Sequence, residues 1–224
     1  MFFSRWRRKA AKSDQVAPKL DLKRVEKVRA LLQSADLRQV EEEIGAMEAA
    51  WGDSAELGLL RAGLLRRQGR HAEAISICES AVIEAERPAL AQFELAESHL
   101  AVPDLSAALD ALSVAVSLEP DFFEAWFRLG ELLRRQSHHD QALEAMERAL
   151  PLAPDPAMRA KVWLHIGMNR FALNRVESAI AAYREAIELS PDMIEAHTGL
   201  GHAHLWRDEE DRALTEYEWV LEHD

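Results

Sequence analysis

A pattern of small and apolar residues recurs about every 34 residues, and this period constrains the fold more than any other feature of the chain. In its clearest copy, an aromatic residue and a glycine precede further small residues, a second aromatic residue and a proline: Trp163, Gly167, Ala179, Tyr183, Ala186 and Pro191. Small residues recur in the same register in the other copies: Ala62, Ala74, Ala81, Ala96, Ala108, Ala115, Gly130, Ala142, Ala149, Gly201 and Ala213. Because apolar residues follow helical spacing on both sides of a central break, each copy is predicted to be a pair of helices.

This spacing resembles the tetratricopeptide repeat, although in the clearest copy Arg170 replaces the tyrosine that the family usually has in the first helix. The resemblance implies an all-α fold, a right-handed superhelical solenoid of stacked antiparallel helix pairs. We place repeats at 55–88, 89–122, 123–156, 160–193 and 194–224, with three inserted residues at 157–159. A degenerate helical pair at 21–54 precedes them and is interpreted as an atypical capping repeat.

Turn-forming residues agree with this division of the chain. The turn inside each pair is predicted at residues that tolerate the left-handed conformation, Gly69, Ser137, Asn174 and Asp208, while Pro103 occupies that position in one unit and predicts a local difference. Three Pro-Asp pairs between units are expected to end one helix and to provide an aspartate N-cap for the next: Pro120–Asp121, Pro154–Asp155 and Pro191–Asp192.

Charge and cysteine content exclude several classes of protein. The first twenty residues carry six of the 27 basic residues and one of the 39 acidic residues, so the remainder has a net charge of −17. An acidic body argues against nucleic-acid binding, which needs a basic face. Cys78 is the single cysteine, so an internal disulfide and a thiolate metal site are both excluded. No apolar run is long enough to span a membrane, and a cytoplasmic protein is expected.

The basic N-terminal tail, residues 1–20, allows two interpretations. Three aromatic residues stand beside basic residues within its first twelve positions: Phe2, Phe3, Arg5, Trp6, Arg7, Arg8, Lys9 and Lys12. Such a segment favours a short anchor on an anionic membrane surface, which would place the protein peripherally at the inner face of the membrane, or on an acidic partner. The alternative is a flexible basic tail that contacts at most the acidic body of its own protein.

The resemblance also implies a binding surface, because the first helices of tetratricopeptide repeats line a concave groove that holds peptides or partner proteins. Carried onto this chain, the family's groove positions give the predicted partner-binding residues Phe93, Glu97, Phe127, Glu131, Arg134, Leu164, Met168, Phe171, His202 and Trp206. The apolar members would form a track for an apolar segment of a partner, and the charged members would fix its orientation. The alternative is that some of them pack between neighbouring first helices.

Two specialised ligands of the family are not supported by the residues. The clamp that grips a terminal carboxylate needs Lys, Arg and Asn, and its positions here hold Leu59, Gly63, Phe93 and Glu97. The asparagine ladder of the glycosyltransferase arms is replaced by Leu60, Glu94, Arg128, His165 and Gly199.

The sequence contains no catalytic motif, and we predict no catalytic residue, no cofactor and no metal. Histidines gather near the C-terminus, at His197, His202, His204 and His223, but only His197 and His204 share a helix face. No suitably spaced carboxylate or cysteine completes a metal site beside them.

The sequence therefore predicts a non-catalytic scaffold that binds a partner protein or peptide in the groove. Two alternatives remain open: the recognition arm of a larger enzyme of the glycosyl- or sulfotransferase type, and a homo-oligomer formed through the uncapped C-terminal repeat. Abundant Arg and Ala indicate a GC-rich bacterial genome.

Overall fold

The computed structural model describes residues 21–34 and 36–223, so the predicted basic tail at residues 1–20 lies outside the described part. Within these residues the chain forms twelve α-helices, a short 3-10 turn at Leu150–Leu152 and no strand. The helices are α1 (Leu22–Ser34), α2 (Leu37–Trp51), α3 (Ala55–Arg67), α4 (His71–Glu84), α5 (Pro88–Leu100), α6 (Leu105–Leu118), α7 (Phe123–Arg135), α8 (His139–Ala149), α9 (Pro156–Ala172), α10 (Val176–Leu189), α11 (Ile194–Trp206) and α12 (Glu210–His223).

The chain divides into two compact units, Met1–Arg87 and Pro88–Asp224. In the described part of the first unit, α1, α2 and α3 share a core of branched and unbranched apolar residues: Val25, Val28, Val40, Ile44, Met47, Leu57, Leu60 and Leu64. At its edge, Arg61 on α3 donates two hydrogen bonds, of 2.7 and 2.6 Å, to the two carboxylate oxygens of Glu48 on α2. The degenerate pair α1–α2 therefore packs on α3 through apolar contacts and one bidentate ion pair.

The second unit consists of four antiparallel helix pairs, α5–α6, α7–α8, α9–α10 and α11–α12. The second helix of each pair contacts the first helix of the next pair, and α9 also contacts the first helices α7 and α11 on its two sides. First helices of neighbouring pairs thus lie side by side. We call the surface formed by α5, α7, α9 and α11 the first-helix surface.

Tyr183 shows how small residues set the spacing of these helices. Its side chain is 3% exposed and lies between α9 and α11. A Cβ atom built on Gly167 of α9 would lie 2.6 Å from Tyr183 Cε1, and one on Gly199 of α11 would lie 2.7 Å from the same atom. Only glycine fits at these two positions without moving the ring, so the large residue and the two glycines fix the distance between adjacent pairs.

The turns inside the pairs adopt the conformation predicted from their residues. Gly69, Ser137, Asn174 and Asp208 have φ values between 58° and 77°. At each of them the backbone N–H donates to a carbonyl three residues earlier, as from Asn174 to Phe171 over 2.9 Å. Pro103 has φ 25°, far from the value its ring favours, and has no N–H to donate. The local difference predicted at Pro103 is thus confirmed.

We expect Pro103→Asn to raise the free energy of unfolding by about 1 kcal/mol, because asparagine tolerates positive φ and restores a donor for the Leu100 carbonyl. Chemical denaturation measures the change. The converse variant, Asn174→Pro, should destabilise the protein because it removes the N–H that bonds to Phe171. A lower stability of Pro103→Asn would show that this turn is not strained.

The prediction of aspartate N-caps between units is correct at one position and wrong at two. Asp155 caps α9 by accepting a hydrogen bond of 2.8 Å from the Met158 N–H. At the other two boundaries the helix begins one residue later, so Phe122 and Met193 occupy the cap positions and neither side chain makes a cap hydrogen bond. Ring N–H groups stabilise these boundaries instead, since Trp126 donates to the Pro120 carbonyl at 2.9 Å and His197 contacts the Pro191 carbonyl at 3.0 Å.

Candidate functional site

A chain of polar side chains, three of them charged, crosses the first-helix surface from α5 to α9. Arg128 on α7 donates to both carboxylate oxygens of Glu97 on α5, at 2.6 and 3.2 Å, and to Glu131 at 2.9 Å. Glu131 also lies 3.6 Å from Nε2 of His165 on α9. We call Glu97, Arg128, Glu131 and His165 the polar chain. Because Arg128 donates hydrogen bonds to both carboxylates, neither Glu97 nor Glu131 is an unpaired anion, although the three groups together keep one negative charge.

His165 is the most strongly perturbed titratable group of the polar chain. Its burial, followed by the nearby positive charges of Arg134 and Lys161, lowers the pKa of the imidazole to about 4. Within the described residues, its buried Nδ1 has no hydrogen-bond partner, so an added proton there would be unsatisfied. The Glu131 carboxylate faces Nε2 and opposes this effect, but Arg128 already engages it. His165 is therefore neutral near pH 7.

Arg134 is the charged groove residue that stays without an ion-pair partner among the described residues. Its side chain is half-buried on α7, and its buried Nε makes no hydrogen bond to any described group. Its charge acts on two neighbours, since it lowers the pKa of His165 and opposes the burial that raises the pKa of Tyr183 to about 12. A half-buried, unpaired guanidinium is suited to a carboxylate supplied by another molecule.

Three of the predicted apolar groove residues pack largely inside the protein. Phe93 lies against Phe122 with ring centroids 5.2 Å apart, and Phe127 contacts the ring of His165 edge-on at 5.3 Å. Leu164 is buried and belongs to the core shared by α9, α10 and α11. The alternative of packing between helices thus describes Leu164, whereas Phe93 and Phe127 pack against neighbouring rings and keep a smaller exposed part.

The remaining predicted residues gather at the ends of α9 and α11. Met168 and Phe171 are partly buried against the core, and Trp206 lies edge-on to Phe171 with ring centroids 6.1 Å apart. Trp206 is 66% exposed, and its neighbour Leu205 is also largely exposed. His202 is exposed beside the ring of Tyr217. We call Met168, Phe171, Leu205 and Trp206 the aromatic patch.

The C-terminal histidines have structural partners. His197 Nδ1 lies 2.6 Å from Glu216 and its ring stacks on Trp219, while His204 Nδ1 lies 2.6 Å from Glu209. The contacts of His197 hold α12 on α11, and the contact of His204 with Glu209 lies at the turn between these helices. Among the described residues, no group of His, Cys, Asp or Glu has the arrangement of a metal site. Nor does any described helix have the length and apolar character needed to cross a membrane.

Arg128 and His165 are two residues of this surface that the groove prediction missed. Both occupy the sixth position of their repeats, which in the family pattern is the position of the asparagine ladder and not a groove position. The separation of Arg128 from Glu131 by three residues was an available signal, because such a pair shares one helix face.

Comparison with known protein families agrees with this architecture. A family model described as tetratricopeptide repeat matches residues 89–157, and a second, described as TPR repeat, matches residues 167–205. The chain is a tetratricopeptide repeat protein. The solenoid fold class predicted from the period is likewise confirmed by the solved structures that the chain resembles.

Two of these structures match the chain over most of its length. The structure described as MamA 41-end from Desulfovibrio magneticus RS-1 has a TM-score of 0.69 and 23% sequence identity, and the match covers 76% of this chain and 95% of that one. The crystal structure of the APC/C hetero-tetramer Cut9-Hcn1 has a TM-score of 0.71 and 18% identity, with 90% of this chain and 39% of that chain covered. At these identities the similarity shows the fold alone.

Relatives by sequence are much longer proteins. Human Protein O-mannosyl-transferase TMTC1 is 30% identical over 136 residues, which are 59% of this chain and 15% of that protein. The Caenorhabditis elegans Cell division cycle protein 27 homolog is 32% identical over 109 residues, 48% of this chain and 14% of that protein. The tetratricopeptide chain thus spans about a seventh of the length of these two relatives.

Proposed function

We propose that this tetratricopeptide repeat protein is a non-catalytic cytoplasmic scaffold that binds a partner protein or peptide on the first-helix surface of its second unit. The observation that carries the proposal is the aromatic patch, in which a 66% exposed Trp206 lies against Phe171 at the ends of two adjacent first helices. Tryptophan residues are enriched among the side chains that dominate binding energy at protein interfaces. A large exposed aromatic residue on a stacked-helix surface is accordingly the natural anchor for a partner.

The charges beside the patch define the partner further. Arg128 already pairs with Glu97 and Glu131, whereas Arg134 and the exposed Lys161 beside His165 have no ion-pair partner among the described residues. A partner that places an apolar side chain against Trp206 and Phe171 and a carboxylate against Arg134 satisfies both features of the surface. The polar chain keeps α5, α7 and α9 in register and serves as the rigid base of the surface.

We expect the double variant Phe171→Ala, Trp206→Ala to lose bound partners. Affinity capture with the parent and the variant, followed by mass spectrometry, identifies proteins that depend on the patch, and calorimetry with the purified partner should show affinity reduced by about tenfold or more. Leu118→Ala is the matched control, since Leu118 is a half-exposed apolar residue of the second helix α6. Partners retained by the double variant, or lost equally with Leu118→Ala, would contradict the proposed site.

A second candidate, the recognition arm of a larger glycosyltransferase, is favoured by one observation. The longest match among the two relatives described above is to a protein named an O-mannosyl-transferase, and it covers only 15% of that protein. Sequencing the gene beyond the codon for Asp224 tests it. A transferase domain in the same reading frame would support this candidate, and a stop codon directly after Asp224 would remove it.

A further inference from the structure

Helix α12 carries an apolar strip whose equivalent on α10 is covered. One repeat apart, Ile180 and Ile187 of α10 correspond to Leu214 and Leu221 of α12. Ile180 and Ile187 pack in the core formed with α11, whereas Leu214 is 56% exposed and Leu221 is 82% exposed. The strip thus has the composition of a helix-binding surface although it faces solvent in the described structure.

Tyr217 lies in the same strip and shows what kind of helix fits there. Its counterpart Tyr183 packs against a glycine of its own pair, Gly167, and against a glycine of the next pair, Gly199. Tyr217 makes the first of these contacts, since a Cβ on Gly201 would lie 2.6 Å from its ring, but its side chain remains half-buried. A helix with a small residue opposite Tyr217 would complete the second contact in the way that α11 completes it for Tyr183.

Acidic residues border this strip. Asp211, Glu218 and Glu222 are exposed and, at spacings of seven and four residues, follow one flank of α12. The corresponding flank of α10 holds Glu177, Arg184 and Glu188, which is a mixed set of charges. There, Arg207 at the end of α11 approaches Glu177 to 4.0 Å, so the internal interface already pairs a basic residue with this flank.

We propose that the α12 strip is a second protein-binding surface, separate from the aromatic patch, and that it binds an amphipathic helix with a basic flank. The partner helix places a small residue against Tyr217, aliphatic residues against Leu214 and Leu221, and Lys or Arg residues beside Asp211, Glu218 and Glu222. A second copy of this chain is a poorer occupant, because two α12 helices in contact would bring two acidic flanks together.

The sequence of α11 supplies the probe. A hydrocarbon-stapled peptide of Ile194–Arg207 with Glu195→Lys combines the glycine that fits a tyrosine with basic residues at both ends. We expect fluorescence anisotropy to show saturable binding to the full 224-residue chain, weakened by salt. A second peptide that also carries Gly199→Leu should bind at least about tenfold more weakly, because a Cβ at this position already lies 2.7 Å from a tyrosine ring in the internal interface. The peptide that keeps glutamate at position 195 should bind several-fold more weakly at low salt.

Variants of the protein locate the binding site. Leu214→Glu and Leu221→Glu should each weaken peptide binding by about tenfold, and folding is preserved because both side chains are exposed. Ile83→Glu is the matched control, since Ile83 is 84% exposed on α4 and should leave binding unchanged. Equal binding by Leu221→Glu and Ile83→Glu, or by the glycine and leucine peptides, would overturn the proposal. If sedimentation equilibrium showed a dimer that Leu221→Glu abolishes, the strip would bind a second copy of the chain. If a following segment of a longer natural chain blocked the peptide, the strip would bind that segment. Either result overturns the proposed partner helix.

Discussion

Replacing Tyr183 with alanine is expected to lower the free energy of unfolding by about 3–5 kcal/mol, the usual cost of deleting a buried aromatic ring. Tyr183 is buried and is in contact with both Gly167 and Gly199, so its ring fills the space between two helix pairs. Its loss leaves a cavity that glycine, having no side chain, cannot fill from either side. Chemical denaturation monitored by circular dichroism measures the change.

Tyr217→Ala is the matched control for this prediction. Tyr217 occupies the equivalent position one repeat later but is only half-buried and packs against Gly201 alone of the two equivalent glycines. Its replacement should cost about 1–2 kcal/mol, because less of the ring leaves contact with protein. If the two alanine variants were equally stable, the tight packing around Tyr183 would not be what holds adjacent pairs together.

Acidification from pH 6.5 to pH 4 is expected to remove up to about 3 kcal/mol of stability through His165 alone. Its folded-state pKa of about 4 lies below the ordinary value of 6.5, so the unfolded chain binds the proton more tightly. Stability from this group is therefore complete above about pH 6.5 and is lost as the pH falls towards 4. The side chain is only 12% exposed, so solvent screens this effect weakly.

His165→Phe should flatten the dependence of unfolding free energy on pH over this interval, because phenylalanine cannot take up the proton. Nuclear magnetic resonance of the imidazole follows the same titration directly. Arg134→Gln should move the titration midpoint of His165 upward, since it removes a positive charge that lowers this pKa. A parent protein and a His165→Phe variant with the same pH dependence would show that His165 titrates as it does in the unfolded chain.

The period and the small residues of the sequence were sufficient to predict the helix pairs and the class of fold. Gly167 and Tyr183 occupy the small and large positions of the repeat pattern, and their close packing follows from their difference in size. The left-handed turns at Ser137 and Asn174 were predictable for a similar reason, since they depend on the residue and its neighbours in sequence.

The charge pairing of the surface could not be predicted in this way. Arg128 forms its ion pair with Glu97 of a different helix pair, and this pairing depends on how far α5 and α7 are rotated relative to each other. Leu164 packs into the core shared with α10 and α11 while Trp206 stays exposed, although both lie at groove positions of the family pattern. The predicted N-cap at Asp121 was wrong because the helix begins one residue later than the pattern indicates.

Photo-crosslinking in cells tests the central claim of the account, that partners bind on the first-helix surface. A photoreactive phenylalanine analogue placed at position 206 is expected to form covalent adducts with a discrete partner protein, whereas the same group at position 118 on α6 should form few. Adducts of equal yield at both positions, or at position 118 alone, would contradict binding on this surface.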